Sequence, residues 1–140
     1  MSTSLLYHGW GIRGYQYVRT SYVGGRTIFT VKPDAFSVTC PVCGSHDLLQ
    51  HGYTHRLWRE VPIGPKPIVI QMGIPRVECR KCATIRQVAV GFADERRSYT
   101  RAFARYALEL SRHTTILDVA RHLNVGWDLI KEIQKSYLQK

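Results

Sequence analysis

The order of apolar and polar positions divides the chain into a β-rich front and a helical end. Residues 15–23 are rich in Tyr, Val and Thr, Gly24-Gly25 suits the positive φ of a tight turn, and residues 27–31 are again β-branched and aromatic. That pattern predicts a β-hairpin, ended by Pro33-Asp34. Ahead of it, Gly9, Gly11 and Gly14 interleave with Tyr7, Trp10 and Tyr15, which reads as an irregular lead-in; the spacing does not fit a phosphate-cradling loop. Two more strands are expected at 53–61 and 68–78, around a Pro/Gly turn at 62–67. The period then changes. Phe103, Tyr106, Ala107 and Leu110 fall at i, i+3, i+4 and i+7 behind Thr100 or Ser98 as N-cap, and shorter helices follow at 116–123 and 127–138. The expected fold class is α+β: an N-terminal β-hairpin segment (1–39), a β-hairpin ribbon (40–93) and a C-terminal three-helix domain (94–140).

Composition sharpens this reading. The 140 residues hold 20 Lys+Arg against 10 Asp+Glu, a formal charge of +10, with 44% apolar residues. The excess is spread as +3, +4 and +3 over the three segments, so each can face a polyanion. Such a balance fits nucleic acid through phosphate neutralisation and counterion release, with a generally basic soluble protein as the plainer alternative. No apolar run reaches the roughly 18 residues of a membrane span, and Met1 to Leu6 lack a charged start leading into a long apolar stretch, so neither a membrane protein nor a secretory precursor is expected.

Units of roughly 40 to 60 residues usually need a metal or disulfides for stability, so the four cysteines require explanation. They form Cys40-Pro41-Val42-Cys43-Gly44 and Cys79-Arg80-Lys81-Cys82, joined by the two strands at 53–61 and 68–78. Each CxxC turn can present two thiolates to one ion, and two turns complete a tetrahedral shell of Cys40, Cys43, Cys79 and Cys82. Zn²⁺ is the expected structural cofactor, and an iron site of rubredoxin type shares the same turns. The 35 residues from 44 to 78 exceed the usual ribbon spacing, but a long hairpin brings its ends together. A disulfide framework suits a secreted chain instead, and redox chemistry needs one CxxC beside a βαβ pattern. His46, His51 and His55 read as solvated loop residues. A closed four-cysteine shell offers no open position for water or substrate, so it holds structure and presents Arg56, Arg59, Lys66, Arg76, Arg80 and Lys81.

Residues 116–135 fit a helix-turn-helix. Val119, Ala120, Leu123, Val125, Ile130 and Ile133 fall where two helices pack, Ala120 permits a close crossing, and Asn124 tolerates the left-handed turn. Trp127, Asp128, Lys131, Glu132 and Lys135 are left on the outer face of the second helix, where they would reach base edges or phosphates in a major groove. Trp127 suits a buried position equally well, and a plain helical hairpin with a solvated face remains the alternative. Arg96, Arg97, Arg101 and Arg105, near the start of the preceding helix, suit phosphate contacts.

These residues carry a family resemblance. Tyr7-His8-Gly9-Trp10-Gly11, Cys40-Pro41-Val42-Cys43-Gly44-Ser45, Leu57-Trp58-Arg59-Glu60-Val61-Pro62 and Pro75-Arg76-Val77-Glu78-Cys79 are similar to the N-terminal part of ISL-three family insertion-sequence transposases. So are Arg97-Ser98-Tyr99-Thr100, Ile116-Leu117-Asp118-Val119-Ala120-Arg121-His122-Leu123 and Trp127-Asp128. The resemblance implies a zinc-binding domain followed by a helix-turn-helix, both recognising the terminal inverted repeats of an element during transposition. The DNA contacts expected from the helix face and the arginines before it are Arg96, Arg97, Arg101, Trp127, Asp128, Lys131 and Lys135. The partners expected are double-stranded DNA and either full-length transposase or a second copy, with no membrane, in the bacterial cytoplasm at the nucleoid. Family members resemble transposases whose acidic triad holds Mg²⁺ in an RNase H-like domain. The ten acids before Lys140 sit in no alternating β/α context, so catalysis is not expected from these residues alone. A standalone regulator or inhibitor of transposition and a zinc-stabilised protein-interaction domain are the competing readings.

Overall fold

A computed structural model describes residues 3–34 and 38–138; residues 1–2, 35–37 and 139–140, parts of the expected outer segments, lie outside the described residues. Its elements are α1 (Thr3–Trp10), β1 (Tyr15–Val23), β2 (Arg26–Pro33), β3 (Leu48–Ile63), β4 (Lys66–Cys79), β5 (Ile85–Gln87), α2 (Arg101–Ser111), α3 (Ile116–Leu123) and α4 (Trp127–Leu138). The class is α+β. No helix among the described residues is long and apolar enough to cross a membrane.

Both expected hairpins form. β1 and β2 pair antiparallel across Gly24-Gly25, and β3 and β4 pair from Leu48↔Cys79 to Ile63↔Lys66. The second hairpin is longer than its apolar pattern indicates because Pro62 and Pro67 fall in the irregular stretch beside the turn, where a missing N–H costs no ladder bond. β4 is the central strand. β3 lies on one side of it; on the other, β2 runs parallel along residues 68–71 and β5 antiparallel along 76–78. The segments separable by composition at 1–39 and 40–93 thus share one five-stranded sheet.

One face of that sheet carries the first core. Phe29, Val31, Trp58, Ile68, Ile70, Met72 and Ile74 are covered by Leu6, Trp10 and Ile12 and by Phe92 and Ala93 of the connector. This corrects the irregular lead-in expected before Tyr15, since residues 3–10 are helical. Leu6 and Trp10 lie one turn apart and bury together, and the Gly11 N–H closes the helix on the Tyr7 carbonyl at 2.9 Å. Burial of two large apolar side chains outweighs the poor helix propensity of Gly9.

The second core belongs to the three C-terminal helices. Phe103, Ala104 and Ala107 of α2 pack with Val119, Ala120 and Leu123 of α3 and Ile130 and Ile133 of α4. Thr100 caps α2 by accepting from the Phe103 N–H, Thr115 caps α3 in the same way, and Asn124 ends α3 in the left-handed conformation.

The two cores are joined along β3. The Arg59 N–H donates to the Ser98 carbonyl at 2.8 Å and the Thr100 N–H to the Arg59 carbonyl at 3.0 Å, a parallel bridge at the strand edge. Beside it, the Thr100 hydroxyl donates to Glu60 Oε1 at 2.8 Å, so the residue that caps α2 also ties it to the sheet. Glu60 is fully buried and its Oε2 has no hydrogen-bond partner. Burial pushes its carboxyl up from 4.5 to about 7, against the opposing Val61 and Thr100 hydrogen bonds and the Arg105 charge. A carboxyl raised on folding binds its proton more tightly in the native state, so stability is full below about 4.5 and lost as pH rises through about 7. The loss is on the order of 3 kcal/mol. Glu60→Gln, which keeps the acceptor and carries no charge, should flatten that dependence and exceed wild-type stability above about pH 7. Urea denaturation across a pH series checks this; parallel curves for the two proteins would refute it.

Candidate metal centre and nucleic-acid interface

The two CxxC turns are built alike. In the first, the Cys40 N–H donates to the Ser45 carbonyl and the Gly44 N–H to the Cys40 carbonyl, both at 2.9 Å; in the second, the Cys79 N–H donates to Thr84 and the Ala83 N–H to Cys79, again at 2.9 Å. The fifth residue of each turn is left-handed, Gly44 at φ 76° and Ala83 at φ 57°. Glycine takes this conformation freely and alanine under strain, which is why only the first turn announces itself fully in sequence. Amides of Val42 and Cys43 point at Cys40 Sγ, and that of Cys82 at Cys79 Sγ, at 3.4–3.5 Å.

The β3–β4 hairpin brings the turns together. Cys79 ends β4 opposite Leu48, and the Arg80 N–H donates to the Asp47 carbonyl at 3.1 Å. All four sulfurs lie within 4.8 Å of one another, with Cys40–Cys82 at 3.6 Å and Cys43–Cys79 at 3.4 Å. A tetrahedral ion with bonds of about 2.3 Å places its sulfurs about 3.8 Å apart, so the residues fit the metal. Hydrogen bonds from Thr84 draw the Cys82 thiol down to about 6, while the Cys79 sulfur and desolvation outweigh the Ser45 amide and push Cys43 up to about 11. Thiols this close share protons unless a cation replaces them. Cys40 and Cys79 are buried and Cys43 and Cys82 face outward. The histidines stand apart from this cluster; His51 Nε2 lies 3.1 Å from Glu78 Oε1 across the hairpin.

At the other end of the chain, α4 buries Ile130 and Ile133 and turns Trp127, Asp128, Lys131 and Lys135 outward. Trp127 is 49% exposed, and Lys131 Nζ lies 4.5 Å from the centre of its ring. Trp127, Lys131 and Lys135 recur every fourth residue and so form one stripe along the helix. Asp128 sits in the first turn, where a negative charge meets the free amides.

The expected arginines divide. Arg97 pairs with Glu132 of α4, and Arg101 pairs with Asp94 at 3.1 Å and donates to the Gly91 carbonyl, so both brace the connector against the helices. Arg96 is exposed and unpaired among the described residues. Sequence reasoning did not place Arg86 in any site. It lies on β5, a three-residue exposed strand whose only signal is its pairing with β4.

Sheet, cysteine cluster and helices define a ribbon-type metal-site fold followed by a helix-turn-helix. Residues 37–82 match the family model for the zinc-finger of transposase IS204/IS1001/IS1096/IS1165, and residues 88–138 match the helix-turn-helix domain of transposase family ISL3. The chain belongs to the ISL3 transposase family. It is 26% identical over 132 residues to the transposase for insertion sequence element IS1001 of Bordetella parapertussis, a match that covers 94% of this chain and 32% of that protein. No solved structure matches.

Proposed function

We propose that this chain is the DNA-recognition part of a transposase, binding the terminal inverted repeats of an insertion sequence. The observation that carries the reading is the α4 stripe: an exposed helix face with Trp127, Lys131 and Lys135 in line, seated on a fully buried helix-turn-helix core. A recognition helix of this kind enters a major groove with its N-terminal residues at base edges, so Trp127 and Asp128 would read bases, while Lys131 and Lys135 would hold phosphates.

Cys40, Cys43, Cys79 and Cys82 would hold one Zn²⁺. The ion supplies cross-linking of the two turns, and the closed shell leaves it no reacting ligand. Four thiolates and one dication take the formal +10 to +8, still a strong surplus for a polyanion. Five of the ten acids serve structure: Asp47, Asp94, Glu109 and Glu132 each pair with an arginine, and Glu60 is buried under α2. Recognition rather than strand cleavage is therefore the role proposed for these residues, at the nucleoid of a bacterial cytoplasm, alongside full-length transposase or a second copy.

Lys131→Ala with Lys135→Ala should weaken binding to a duplex bearing the repeats that flank the gene by about tenfold or more, and lower the salt slope by about two. Fluorescence anisotropy measures both quantities. Unchanged affinity would remove α4 from the groove.

A further inference from the structure

A groove of about 460 Å³ opens where the ribbon meets the connector to α2. Arg56 of β3, Arg86 of β5 and Arg96 of the connector line it, above a floor that includes Trp58 and Ile74. Arg56 is fixed in place: its Nη2 donates to the Arg97 carbonyl at 2.8 Å and its guanidinium lies 5.1 Å from the Trp58 ring centre. Arg86 and Arg96 are exposed, and their side chains make no hydrogen bond or ion pair among the described residues. Of the two acids on the rim, Asp94 is held by Arg101 and Glu95 is exposed, so positive charge is in excess.

Arg96 holds a set place in the connector. Its φ is 65°, a left-handed conformation that strains any side chain with a Cβ and that glycine or asparagine would hold more easily. The Arg97 N–H closes a turn on the Asp94 carbonyl at 3.2 Å, with Arg96 in the third position where a positive φ is needed, and this fixes the point from which its guanidinium leaves the backbone.

We propose that this groove grips a DNA phosphate backbone, as a contact additional to α4. Arginine forks suit phosphate oxygens, and the groove adjoins the helix, because Arg97, next to Arg96, pairs with Glu132 of α4. One duplex can therefore meet both surfaces. An acidic peptide would satisfy the charge alone, but it has no reason to lie beside the α4 stripe. The inference rests on the duplex-binding reading above.

The test is Arg86→Gln with Arg96→Gly in the zinc-loaded chain, titrated with a mixed-sequence duplex over a KCl series. Loss of two phosphate contacts should lower the slope of log K against log salt by about two. The thermal midpoint should not fall, since glycine relieves the strain at 96. Should the double variant fold poorly, Arg96→Gly alone should lower the slope by about one. Wild-type binding with an unchanged slope in the variants overturns the groove and leaves the α4 reading standing. Wild-type protein that does not bind the duplex overturns both. Polyglutamate binding lost in the variant while its DNA slope is kept would assign the groove to an acidic partner and overturn the proposal.

Discussion

Replacing Cys79 with serine should release the metal and melt the outer end of the β3–β4 hairpin, as chelation should in the wild type. The reason lies in what holds each half of that hairpin. Around Trp58 the strands are packed into the apolar core, but residues 49–55 of β3 are all exposed and bury little against anything. Their order depends on backbone pairing and on the cross-link at Cys40, Cys43, Cys79 and Cys82. Structural zinc sites contribute roughly 10 to 16 kcal/mol of apparent binding energy in small zinc-finger peptides, far above what the exposed outer residues of β3 supply by pairing with β4. Amide exchange should therefore accelerate by orders of magnitude over the two turns and the outer hairpin, with α2, α3 and α4 still protected. Metal-free protein with unchanged exchange at 48–55 would show that the cysteines are not structural ligands.

Trp58→Ala should be the most damaging single change in the core, at about 3 to 5 kcal/mol. Trp58 is 1% exposed, pairs with Ile70 across the hairpin, meets Phe92 edge-on with ring centres 5.0 Å apart, and lies under the Arg56 guanidinium. It contacts both the sheet and the connector, so its loss also loosens the seat of α2. Denaturant midpoints should show the drop, and Trp58→Phe, which retains an aromatic edge contact, should cost markedly less. Equal stability of Trp58→Ala and wild type would contradict this packing.

How much of this was legible in the sequence depends on how local each cause is. The two hairpins follow from alternation and turn residues, and the helix-turn-helix core from spacing. Val119, Ala120, Leu123, Ile130 and Ile133 are all buried as expected, with Val125 half-buried and Asn124 left-handed. The clustering of the four cysteines was legible too, because CxxC is a local geometry, plainer in the first turn with its Gly44 than in the second with Ala83. What sequence hid is non-local. Gly9, Gly11 and Gly14 suggested irregular chain where α1 forms, since only the sheet it covers makes Leu6 and Trp10 worth burying. The parallel pairing of β2 with β4 joins residues some forty positions apart and has no signature of its own. Charge gave the arginines but not their partners: Arg97 and Arg101, both partly exposed, pair with Glu132 and Asp94, whereas the Arg86 and Arg96 side chains stay free.

The zinc-loaded chain should bind duplex DNA through neutralised phosphates. Anisotropy of a labelled duplex bearing the element's terminal repeats, measured against a scrambled duplex over a KCl series, tests it most directly. Tighter binding to the repeats is expected and, for both duplexes, affinity that falls linearly on a log–log plot with a slope of several units. Affinity independent of salt, or no binding to either duplex, would contradict it.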